Sequence, residues 1–341
     1  MGAMKRSALD RIAFDLHLSE DAVATALDLT GARPDEAAWR SFAARALNAV
    51  GFAFLGAGAI FFVAANWSEF GMAGRFVLLE LAFVACVGLA WWRSPPDPLG
   101  VGALSLATLL IGGLLALFGQ TYQTGADVFE LFLAWAALAL PFALGGRSGA
   151  VWAIWWVVLN VAFALYGGML GPQHFFWSWL DRWGVGQPLV LLAPCAVNLG
   201  GAALFAHLGR SEPHDAPRWL VRMLTAFGVL YGTVASTMAV AGHGWLSSRN
   251  ESSAQDAIVI AAFALASAAI AFVALRAKRD VFPMAAIIGS WIAISTALLI
   301  KGIHNSNELG SFFLIAGWLI AASTAAGFAL MHWVREWKNA S

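Results

Sequence analysis

LNAVGFAFLGAGAIFFVAA, from Leu47 to Ala65, is nineteen residues long and holds no Asp, Glu, Lys or Arg. A helix of that length, rising about 1.5 Å per residue, reaches across about 30 Å of hydrocarbon. Backbone polar groups in lipid must pair internally, so the run predicts a membrane helix and excludes a loop or an open strand. Nine further long apolar runs follow, two of them carrying one acid each (Glu80 and Glu130): Phe76 to Trp92, Leu99 to Phe118, Val128 to Leu144, Gly149 to Leu170, Pro188 to Leu208, Met223 to Ala241, Ala257 to Leu275, Val281 to Ile300 and Ser311 to Met331. The fold class these runs predict is all-α, a polytopic transmembrane helical bundle of about ten spans.

Composition agrees. The 341 residues are 60% hydrophobic and 12% charged, about half the charged share of a soluble chain, and the mean hydropathy is +0.72. The formal net charge of zero gives no concentrated positive field, which argues against nucleic acid as a partner. Where the charges fall carries more information. Ten spans put both termini on one side, and that side holds every Lys and Arg except Arg75, Arg182, Arg249 and Lys301, sixteen of the twenty in the chain. Cytoplasmic loops retain cations, so both termini are expected in the cytoplasm. Trp67, Trp91, Trp92, Trp219, Trp245 and Trp333 sit at or near predicted span ends, where the headgroup layer favours an amphipathic ring.

Residues 1–46 form a charged segment expected to be cytoplasmic and helical, and residues 47–341 the membrane domain. Ser19 is placed to cap a first helix with Glu20 and Asp21 in its opening turn, Gly31 to end it, and Pro34 to open a second with Asp35 and Glu36. Trp39, Phe42, Ala43, Ala46 and Leu47 recur at helical spacing, so the second helix is expected to run into the first span. Leu55 to Trp67 aligns without gaps with Leu110 to Tyr122, each a glycine-bearing helix ending in a polar residue and an aromatic, which suggests two hairpins that pack alike.

The segments that carry a resemblance are the charged N-terminus, Gly56 to Trp67 (GAGAIFFVAANW), Arg75, Gly119 to Asp127 (GQTYQTGAD) and Phe132 to Trp135 (FLAW). Over roughly residues 7–150 the chain resembles the bacterial membrane proteins grouped as domain of unknown function 2157. The resemblance implies a bacterial inner membrane and a multi-pass fold, and no chemistry with them.

The candidate binding residues are Glu80, Asn66, Gln120, Gln123, Asp127 and Glu130. Glu80 lies six residues beyond Gly74, about 9 Å along the second span, a depth at which a carboxylate costs several kcal/mol unless paired or neutralised. One reading has it face the bundle interior near Gln120 and Asn66, protonated, with the other carboxamides and carboxylates rimming the same outward pocket; the other has Glu80 bonded to a neighbouring helix or snorkelling outward, and the rest forming an ordinary solvated loop with capping residues. No metal or cofactor is expected: His174, His243 and His304 are spread across separate loops, and Cys86 and Cys195 lie within apolar runs as structural thiols. Enzyme signatures are missing too. Gly146-Arg-Ser-Gly149 matches the GxSG pattern of an intramembrane serine protease only superficially, and a turn between helices explains it better. Asn160, Asn198, Ser290, Ser295 and Thr296, inside spans, are accounted for by hydrogen bonds between helices.

Two functional classes remain. The leading one is a transporter or permease for a small solute or lipid, resting on the span count and Glu80. The alternative is a membrane scaffold or sensor in contact with the lipid bilayer, whose N-terminal segment docks a protein partner. A solvated mid-membrane cavity holding Glu80 would favour the first, and tightly packed spans with lipid-facing grooves the second.

Overall fold

The computed structural model of the chain describes residues 18–29, 36–65, 69–123, 125, 127–166, 187–209, 217–241, 254–278, 280–303 and 308–339, with no strand among them. It divides after Leu110 into two compact units.

The first unit begins with α1 (Glu20–Leu29). Ser19 caps it, its Oγ accepting the Ala22 amide at 3.3 Å. Gly31 and Pro34 lie outside the described residues. Next comes α2 (Glu36–Ala65), thirty residues without a break, so the charged segment and the first span are a single rod through residues 46 and 47. Gly56 lets α2 approach the following helical hairpin closely, since a Cβ there would stand 3.3 Å from Leu106 Cδ1. α3 (Met72–Trp92) carries strongly exposed Trp91 and Trp92 at its far end. The turn into α4 (Pro98–Tyr122) is fixed by Asp97, whose Oδ1 accepts the Leu99 amide at 3.0 Å and whose other oxygen lies 3.6 Å from Arg93. Gly100 has no room for a side chain, because a Cβ would come 2.7 Å from the Arg93 carbonyl oxygen.

The second unit holds the rest of α4 and everything after it. Its helices are α5 (Val128–Gly146), α6 (Gly149–Tyr166), the single turn α7 (Gln187–Val190), α8 (Leu192–Leu208), α9 (Arg218–Ala241), α10 (Ala254–Phe272), α11 (Val281–Ile303) and α12 (Glu308–Asn339). A π-helical turn, Val273–Lys278, extends α10. α9 is the centre: α6, α8, α10 and α11 all pack on it, and its buried face is built of small and medium side chains such as Thr225, Gly228, Gly232, Ala235 and Ser236. Large residues of the neighbours fill the gaps these leave. Leu199 lies over Gly228 and Phe263 over Gly232, while Trp156 of α6 lies over Gly201 of α8. This is the small-residue packing expected where lipid supplies no hydrophobic drive between helices. Cys195 is buried in the main core cluster, and both cysteines are free thiols.

Among the described residues nine helical segments are long and apolar enough to cross a membrane, and α2 adds the run Leu47 to Ala65, consistent with about ten spans. Several helices start before the apolar run they contain. α3 begins at Met72 and α9 at Arg218, because a helix runs on through a polar first turn that a hydropathy window rejects.

Candidate functional site

Three of the buried polar residues of the second unit, Asn160, Asn198 and Ser290, hydrogen-bond between its helices, and Ser236, Asp256 and Ser267 are buried in it as well. On α6, Asn160 is 4% exposed, and on α8, Asn198 is 0% exposed. Their carboxamides meet reciprocally: Asn160 Nδ2 donates to Asn198 Oδ1 at 3.0 Å and Asn198 Nδ2 donates to Asn160 Oδ1 at 2.8 Å. Each amide gives its second proton to its own helix, Asn160 to the Trp156 carbonyl at 2.8 Å and Asn198 to the Pro194 carbonyl at 2.9 Å. All four N–H donors of the pair are thereby used. From α9, the Tyr231 hydroxyl donates to the Asn160 carbonyl at 2.8 Å, so three helices meet at this point.

Further along α9, Thr233 donates to Ser290 of α11 at 2.7 Å, and Ser290 passes its own proton to the Ala286 carbonyl at 2.9 Å. At the end of α9 where it begins, Arg222 holds Asp280 in a two-point ion pair, Nε to Oδ2 at 3.1 Å and Nη2 to Oδ1 at 3.0 Å. Asp280 Oδ1 also accepts the Phe282 amide at 3.1 Å, which caps α11. The arrangement ties helices together at fixed register. It presents no nucleophile beside a base, and among the described residues no group of three or more His, Cys, Asp or Glu could hold a metal ion.

The residues singled out from sequence fall elsewhere. Glu80 is exposed on α3 of the first unit, along the stripe that carries Val77, Leu81 and Val84. α3 is apolar on all sides, so its composition could not say which face is inside. Gln120, Gln123, Asp127 and Glu130 are exposed in the second unit around the turn from α4 to α5. Gln123 and Gly125 make that turn with left-handed backbones, φ 44° and 66°. Asp127 and Glu130 form a capping box at the start of α5, the Asp127 amide donating to Glu130 Oε2 at 3.2 Å. Asn66, His174, His243 and His304 lie outside the described residues. Ser148 sits in the turn between α5 and α6, its Oγ accepting the Ala150 amide at 3.3 Å beside a left-handed Arg147.

Asn160, Asn198 and Ser290 were visible as polar residues inside spans, but their partners were not. Ser295 and Thr296 instead bond the Ile292 carbonyl of their own helix. Neither Tyr231 nor the Arg222–Asp280 pair stands out in the sequence. The available signal for Asp280 was an N-cap residue directly before an apolar run, with an arginine at the start of another span.

The family described as predicted membrane protein (DUF2157) matches residues 15–152, from before α1 into the first turn of α6. No curated protein and no solved structure matches the chain.

Proposed function

We propose that the chain is a membrane scaffold or sensor of the bacterial inner membrane, with both termini in the cytoplasm, whose N-terminal helices dock a protein partner and whose second unit is a rigid anchor. The observation that carries this reading is the unbroken α2. Thirty residues rise about 45 Å, against about 30 Å of hydrocarbon, so roughly ten residues stand outside the bilayer. A displacement at that outer end is carried along the rod, because bending a helix without Pro or a bulge is costly. The protruding turns offer Trp39 and Phe42, 59% and 58% exposed and in edge-to-face contact, beside the Glu36–Arg40 ion pair at 2.6 Å. The transporter reading loses ground on two counts: the amides of the second unit are hydrogen-bonded to one another, and Glu80 is exposed on its helix.

Reporter fusions after Arg93 and after Arg249 are expected on opposite sides of the membrane, cytoplasmic and external respectively. Two cytoplasmic reports would break the topology. A photo-crosslinking residue at Phe42 is expected to give a discrete protein adduct in intact cells that an excess of the 15–46 peptide competes away, whereas the same probe at Phe313, 67% exposed on α12, gives lipid adducts. Glu80→Gln is expected to leave proton permeability of proteoliposomes unchanged. A proton flux that the wild type supports and Glu80→Gln abolishes would return the protein to the transporters.

A further inference from the structure

The surface of the second unit is not smooth where its last two spans meet. α11 and α12 pack on each other, and toward the end of α11 a groove of about 480 Å³ lies between them, lined by Ser295, Leu298, Leu299, Gly302 and Ile303 of α11 and by Trp318 of α12. From Ser295 to Ile303 it follows α11 for about 12 Å, most of the ~15 Å of hydrocarbon in one leaflet. Lys301, exposed in the last turn of α11, marks the water side of that leaflet. Gly302 helps to keep the groove open: it puts no side chain into it, and a Cβ there would meet nothing within 4 Å. Trp318 stands beyond Ser311 by about 10 Å of helix, inside the apolar run and away from the headgroup layer where indoles gather. It is 40% exposed and Leu298 is 59% exposed, so the groove is continuous with the lipid-facing surface of the two spans.

What fills the groove follows from its lining. Left empty, it forfeits dispersion contacts along every wall. Filled with water, it would hold on the order of ten molecules, each needing polar partners, and its polar side-chain groups are only the Trp318 indole N–H and the Ser295 hydroxyl, which gives its proton to the Ile292 carbonyl at 3.0 Å. A helix of a second copy is about 10 Å across and over the same length occupies ~900 Å³, about twice the space. A hydrocarbon chain meets both the shape and the chemistry. We propose that the groove between α11 and α12 holds one acyl chain of a phospholipid from the leaflet in which α11 ends, with Trp318 as one wall and Gly302 leaving room for the chain. The volume lies within the ~300–1,000 Å³ of small-molecule sites. The site stands independently of whether a protein docks on the N-terminal helices.

The test uses the full chain in liposomes that contain a trace of phosphatidylglycerol with a diazirine in mid-chain. Irradiation and peptide mass spectrometry then give the labelled positions. Leu298, Leu299 and Trp318 are expected to carry roughly fivefold more label than Leu265, which is 73% exposed on α10, an excess that about 1 kcal/mol of added contact supports. Gly302→Phe places a ring in the groove and is expected to bring that label down to the Leu265 level with the unfolding midpoint retained. Gly289→Phe is the matched control, since Gly289 is exposed on the same helix outside the groove with nothing within 4 Å of a Cβ, and it is expected to leave the label unchanged. Label at the groove no higher than at Leu265, label undiminished in Gly302→Phe, or a disulfide-linked dimer formed by Leu298→Cys and not by Leu265→Cys, which would seat a second copy there, would each overturn the site. Should Gly302→Phe not fold, Gly302→Leu and the distribution of label on the wild-type chain decide the same question.

Discussion

Gly232→Ala is expected to destabilise the second unit by about 1–3 kcal/mol, and Gly232→Val to prevent its assembly. A Cβ at this position would overlap Phe263 Cδ2 and Cε2. The ring cannot retreat, because it is 1% exposed and stacked at 6.0 Å against Trp291 of α11, so the strain must pass into the spacing of three helices. Relief is expected from Phe263→Leu, which shortens the opposing side chain: the double variant with Gly232→Ala is predicted to be more stable than the sum of the two single losses. The measurement is the unfolding midpoint in detergent for all four proteins. Additive losses would mean that the ring does not rest on the glycine.

Gly289 provides the contrast. It lies in α11, it is exposed, and a Cβ there would meet nothing within 4 Å. Without a clash, Gly289→Ala removes only the backbone entropy that glycine adds to the unfolded chain, and the expected change is neutral to about 1 kcal/mol stabilising. The same substitution in two spans of one unit thus has opposite signs, decided by what faces the missing side chain.

Much of the architecture was legible because lipid imposes a length and a composition on each span. Leu47 to Ala65 reads as a membrane helix from its residues alone, and the periodic Trp39, Phe42 and Ala46 foretold that the helix entering it would have no break. What could not be read is rotation. Asn160 and Asn198 stand out as polar residues in apolar runs, yet nothing local says that they meet each other while Ser295 and Thr296 fold back on their own helix. Pairing depends on which faces of two separate helices come together, and spans that are apolar all round leave that open. Glu80 shows the same limit: depth follows from counting residues, facing does not. Asp127 and Glu130 illustrate the converse, since of the two readings open to them, pocket rim and loop cap, the cap of α5 is present, and their three-residue spacing already permitted it.

Among the buried polar residues the largest effect is expected from the Asn160–Asn198 pair. Asn198→Leu leaves the Asn160 amide, 4% exposed, without the two bonds of 2.8 and 3.0 Å that it makes across the helices. A buried polar group stripped of its partner costs about 1–3 kcal/mol, while hydrogen bonds between membrane helices contribute about 0.6 kcal/mol each and at most about 1.7. A loss of about 1–2 kcal/mol is therefore expected for either single replacement by leucine. Replacing both removes the stranded amide, so the double variant should lose little more than one single, a coupling of about 1–2 kcal/mol. Tyr231→Phe serves as the internal control. Its hydroxyl bonds the backbone carbonyl of Asn160 and not the carboxamide, so its loss of about 0.6 kcal/mol should add independently to that of Asn198→Leu. Strong coupling of the amides with none to Tyr231 is what a fixed lock produces, and a fixed lock suits an anchor. Amides that show no coupling would be free to exchange partners within the membrane, as a solute path requires, and the scaffold reading would lose the rigid bundle on which it depends.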